Sequence, residues 1–82
     1  MVKCLALKNG TNVIAEVIES EEVEIGEPNC RLVNSYEINE NGQLNRWPFF
    51  TDQRSLMLSS DSILTIVDPS ESIMKQYRDL NL

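Results

Sequence analysis

Along most of this chain apolar residues alternate with polar ones, and only after Asp68 do they recur at helical spacing. The stretch Leu56 to Val67, Leu-Met-Leu-Ser-Ser-Asp-Ser-Ile-Leu-Thr-Ile-Val, reads as two short apolar strands joined by a tight polar corner, Ser59-Ser60-Asp61-Ser62. Residues before it read as a sheet that this pair closes. Residues after it read as one helix.

Val2 to Lys8 is the first strand, and Asn9-Gly10 behind it is a strong hairpin signal. Val13 to Glu19 is the second. Val13, Ala15 and Val17 are apolar on one face, Ile14 and Ile18 on the other. The first strand repeats the habit, with Leu5 and Leu7 opposed to Val2, Cys4 and Ala6. Strands apolar on both faces need cover on both. In so short a chain, a second subunit is one source of that cover.

Val23 and Ile25, with Glu24 between them, fit a half-buried strand with a solvated acidic face. Glu19, Glu21, Glu22, Glu24 and Glu27 lack the Asp, Asn and Gly offsets of a calcium loop. Pro28 breaks that strand. Cys30 to Asn39 resumes, with Cys30, Leu32, Tyr36 and Ile38 assigned to one face and polar Asn34 among them. Asn39-Glu40-Asn41-Gly42 is a second hairpin turn. Gln43 to Phe50 returns as an irregular edge strand limited by Pro48, and Thr51 to Ser55 is a connecting loop. In the last segment Asp68 is placed as the helix cap, Pro69 at the first helical position and Glu71 as the capping-box acid. Ile73, Met74, Tyr77 and Leu80 form its apolar stripe, and Glu71 and Lys75 an exposed pair one turn apart.

The pattern therefore predicts a mostly β domain spanning residues 1–82. It has a small, five-stranded, strongly bent antiparallel sheet or barrel over about residues 2–67 and a C-terminal α-helix over about 69–80. At 82 residues it is one domain with a modest core. Disulfides, a metal or self-association commonly supply the missing stability. Cys4 and Cys30 are isolated, no Cys-x-x-Cys occurs and histidine is absent, so both cysteines read as reduced and structural, and no metal or other cofactor is expected. Self-association is the remaining route. No signal peptide or membrane-spanning run is present, so the expected compartment is the cytoplasm. Thirteen acids against seven bases give a net charge of −6, which opposes indiscriminate binding to nucleic acid.

Three of the five aromatic residues sit in Trp47-Pro48-Phe49-Phe50. The preferred reading is packing, as a plug at one end of the barrel or at a subunit seam, because small cores need their aromatics. The alternative is a docking surface for a peptide or a stacking platform for bases, flanked by Arg46 and Arg54.

From Leu58 to Ile66 the chain resembles the second sequence motif of the Sm-like family. Leu58 stands at the first aliphatic position, Ser59-Ser60 at the family's Arg-Gly pair, and Ile63, Leu64 and Ile66 in the closing strand. Leu7 to Val17 resembles the first motif, with Ala15 where the family has glycine. Within the family the resemblance is to divergent, cyanophage-type members. It implies a bent five-stranded sheet whose fourth and fifth strands pair between subunits into a ring, here of five to seven copies. It implies RNA held by the loops Ser20-Glu21-Glu22 and Ser59-Ser60-Asp61, which makes Glu21, Ser59, Ser60 and Asp61 the candidate RNA-binding residues. For a phage-encoded chain the compartment is the host cytoplasm. The departures are specific. Serine replaces the base-contacting arginine, the first motif's asparagine has no counterpart, the loops are acidic, and the helix is C-terminal where the family's is N-terminal.

Two functions follow as expectations. One is a homo-oligomeric ring that binds single-stranded RNA and modulates RNA metabolism, with Arg31, Arg46 and Arg54 as contributing cations. The other is a non-catalytic protein-interaction or structural module that captures a host protein through Trp47, Phe49 and Phe50. An enzyme is not expected, since histidine, a nucleophile elbow, a glycine-rich phosphate loop and a metal quartet are all missing from the sequence.

Overall fold

The computed structural model describes residues 1–19 and 30–81. The expected strand at Val23–Ile25, the Pro28 break and Glu21 lie outside them. Among the described residues six strands and one α-helix follow in order: β1 (Val2–Leu7), β2 (Asn12–Glu19), β3 (Cys30–Ile38), β4 (Leu44–Arg46), β5 (Ser55–Leu58), β6 (Ile63–Val67) and α1 (Glu71–Leu80). All pairings are antiparallel, in the order β4-β3-β2-β1-β6, with β5 also on β3.

Both hairpin turns form where Asn-Gly predicts them. Gly10 and Gly42 take φ of +91° and +78°, the left-handed region that glycine enters without steric cost. The Asn39 side-chain carbonyl accepts from the amides of Asn41 (3.0 Å) and Gln43 (2.8 Å), closing the second turn.

β3 departs from simple alternation. Ile14 pairs with Tyr36 and Glu16 with Val33, so Asn34 and Ser35 together oppose Ala15. This is a β-bulge, and Asn34 sits in it at φ +53°, a conformation asparagine tolerates better than most residues. The extra residue inverts the phase of the strand. Cys30 and Leu32 point to one face, Tyr36 and Ile38 to the other, and not all to one face as alternation alone implies.

The sheet therefore carries two cores. The first holds Leu5, Leu7, Val13, Ala15, Cys30 and Leu32, with Val17, Trp47, Leu56, Leu58 and Ile63 packed around them. The second holds Ile14, Tyr36 and Tyr77, with Val2, Cys4, Ile38, Leu44 and Ile73. Tyr77 and Ile73 come from α1, so the chain itself covers the second face over the middle of the sheet. The rings of Tyr36 and Tyr77 meet edge to face at 5.9 Å. The Tyr77 hydroxyl donates to the Val33 carbonyl (3.2 Å), and Gln76 donates to the Gly42 carbonyl (3.0 Å).

The helix begins two residues later than the sequence suggests. Ser70, not Asp68, is the cap, and its hydroxyl accepts from the Ile73 amide (3.3 Å). Asp68 instead takes the Lys3 ammonium at 2.5 Å, joining the start of β1 to the end of β6.

Curvature follows from connectivity. β5 lies on the far side of β3 and β6 on the far side of β1, yet only Ser59–Ser62 link them. In a flat sheet those strands stand four spacings apart, roughly 19 Å. The five steps from Leu58 to Ile63 span at most roughly 18 Å when fully extended, which falls short of that distance. This link is wound into a 3₁₀ turn, so the sheet curls to bring its edges toward each other. It stops short of closure, and the outer edges of β5 and β6 have no partner strand among the described residues.

Candidate functional site

The aromatic run splits in two. Trp47 is half-buried against the first core. It is tied to the bulge by its amide donating to the Ser35 carbonyl (3.2 Å) and its carbonyl accepting from the buried Ser35 hydroxyl (2.6 Å). The Trp47–Pro48 peptide is cis. Phe49 and Phe50 are 87% and 78% exposed, with rings edge to face at 5.5 Å. Packing within one copy is thus the role of Trp47 but not of the two phenylalanines.

The loop holding that pair is an excursion from one interrupted edge strand. β4 pairs with β3 as far as Arg46, and Trp47 still bonds Ser35. The Asn34 amide then donates to the Arg54 carbonyl (2.8 Å), and β5 carries the pairing on. Residues 48–53 bulge out of that edge. Arg46 Nη2 donates to the Asp52 carbonyl (3.0 Å), and Gln53 bonds Thr51 Oγ1 and the Ser55 carbonyl. These bonds pin both ends of the loop. Arg54 is exposed, as is Arg31, which lies in register between Ile18 and Met57.

At the other candidate position, Ser59 caps the 3₁₀ turn, its hydroxyl accepting from the Asp61 amide (3.3 Å), with Ser60 and Asp61 exposed. The sequence places no cation in this corner. The fold brings one to it, because the Lys8 amide donates to the Ser62 carbonyl (2.9 Å) and docks the first hairpin turn on the corner. A pocket of about 280 Å³ opens between them, lined by Leu7, Lys8, Asn9, Trp47, Leu58, Asp61 and Ser62. Trp47 and Asp61, read separately in the sequence, thus share one pocket. Lys8 and Asn9 complete its rim. In the sequence Lys8 reads as the end of the first strand and Asn9 as part of a turn signal, and nothing local marks a contact across fifty residues.

Burial raises the Cys4 thiol above its ordinary 9.0 and the Tyr77 phenol above its ordinary 10.0. Neither Cys4 nor Cys30 is in a disulfide, and the described residues contain no cluster of three or more metal-ligating side chains. No described helix is long and apolar enough to cross a membrane.

Fold and site together define a small, mostly β protein: an open, strongly curled antiparallel sheet with a C-terminal helix on one face. The chain belongs to a family of unknown function, DUF6561, whose model matches residues 1–81. No curated protein matches it.

Proposed function

We propose that this chain is a non-catalytic, ring-forming module of Sm-like type that binds single-stranded RNA, one pocket per copy. One observation carries the assembly: two unlike sheet edges, β5 and β6, have no partner strand among the described residues, and the strand at one of them exposes large apolar residues. On β6, Leu64 is 71%, Ile66 41% and Val67 52% exposed. Such an edge is a template for strand addition. Joining two unlike edges is a heterologous contact, which closes into a ring when the rotation permits.

An antiparallel register fits the two strands. With Ser55 opposite Val67, Leu56 falls opposite Ile66. Leu56 packs on the first core and Ile66 pairs with Leu5 of that core, so both point to the same face. One core then runs on into the next copy.

The Lys8–Asp61 pocket supports RNA as the ligand. Trp47 offers a ring for stacking, Lys8 a cation for phosphate, and Asn9 and Asp61 polar groups for a base edge. At about 280 Å³ the pocket is close to the lower bound of about 300 Å³ for small-ligand sites. Fluorescence anisotropy with labelled oligouridylate at low salt tests this. Submicromolar binding that falls at least tenfold in Lys8→Glu is the expected result, and no binding at low salt contradicts it. The competing reading, a protein partner, is favoured by the exposed Phe49–Phe50 pair. It predicts capture that survives Lys8→Glu.

A further inference from the structure

We infer that the Phe49–Phe50 pair is the lock of the contact between copies, seating on the β6–α1 junction of the next copy. This rests on the edge-to-edge assembly proposed above. The starting point is a shortfall of area. Pairing four residues of β5 with β6 gives a few backbone hydrogen bonds, whereas a stable interface buries about 800 Å² per partner. Aromatic side chains bury about 150–250 Å² each, so the pair adds roughly 300–500 Å².

Its position fits. Residues 48–53 bulge out of the same edge that β5 offers, at the N-terminal end of that strand. In the antiparallel register this end meets the C-terminal end of the neighbour's β6. There the neighbour presents exposed Val67, then Asp68 opposite Arg54, then Pro69. Beyond Pro69 a groove of about 480 Å³ runs along α1, with half-buried Met74 in it and Glu71, Lys75, Arg78 and Asp79 around it. Methionine adapts to an aromatic neighbour and gains from sulfur–ring contact. The occupant is therefore a second copy of this chain: Phe49 and Phe50 of one on Val67, Pro69 and Met74 of the next. The loop is pinned at both ends, so little ordering remains to be done on contact.

The test is native mass spectrometry of the full chain with Phe49→Ala and Phe50→Ala combined. Both rings are exposed, so the variant keeps its fold by circular dichroism. Its assembly is expected to need at least tenfold more protein than wild type. A folded variant that assembles like wild type overturns the lock and leaves the edge pairing standing. A monomeric wild type overturns both. As a second readout, Phe50→Cys with Met74→Cys is expected to give oxidised ladders joined between copies. A failure to cross-link at concentrations where the double-cysteine variant itself assembles overturns the placement.

Discussion

Strand β2 carries Val13-Ile14-Ala15-Glu16-Val17 and strand β6 carries Ile63-Leu64-Thr65-Ile66-Val67. Both are apolar on both faces. In β2, Val13, Ile14 and Ala15 are fully buried, between the first core on one side and α1 on the other. In β6 only Ile63 reaches the core, and the other four residues are exposed. The strands differ in place, not in composition. β2 is flanked by β1 and β3, while among the described residues β6 has one neighbour and lies at the edge. Among the described residues one short helix covers the middle of the sheet and leaves the rim bare.

The largest effect should come from cutting into the covered region. Ile14→Ala and Leu32→Ala each remove a fully buried side chain and should cost about 2–5 kcal/mol in denaturant unfolding. Ile66→Ala in the monomer should cost much less. Equal losses at the two sites would break the contrast.

Next is the helix that makes the cover. Tyr77→Phe keeps the ring contact with Tyr36 but leaves the Val33 carbonyl without that donor, and should cost about 0.5–1.5 kcal/mol. Ser70→Ala removes the cap and should cost about 1 kcal/mol. A loss of this size at Asp68→Ala instead would restore Asp68 as the cap.

The pH dependence sharpens the same picture from the covered side. Burial favours the neutral forms of Cys4 and Tyr77, so their folded pKa values lie above the unfolded ones. The unfolded chain then loses protons first as pH rises. Stability is complete below about pH 9, and it falls as pH climbs through the raised folded value of Cys4 and then that of Tyr77. Cys4→Ser should remove the first part of that decline in pH-dependent thermal melts.

The smallest effect on stability belongs to the rim. Leu64→Lys should change monomer stability by no more than about 0.5 kcal/mol, because the side chain is already in solvent. It should abolish assembly, because a charge on an edge strand blocks strand addition.

How far the sequence disclosed this structure varies along the chain. The Asn-Gly turns and the two-faced strands were plain, since turn chemistry and alternation are local. The β3 bulge was not. Asn34 stood out as polar among apolar positions, but alternation cannot reveal a two-against-one pairing that depends on β2. The cap moved from Asp68 to Ser70 for a similar reason, as both residues suit the role and Lys3, distant in sequence, claims the first. The division of Trp47 from Phe49 and Phe50 and the meeting of Lys8 with Asp61 were hidden too. Each depends on which edge a segment joins.

The most direct test is native mass spectrometry of wild type beside Leu64→Lys at matched concentration. A single closed oligomer for wild type and a folded monomer for Leu64→Lys is the predicted result. A wild-type monomer at all concentrations, or an oligomer that Leu64→Lys leaves intact, would contradict assembly through the bare rim.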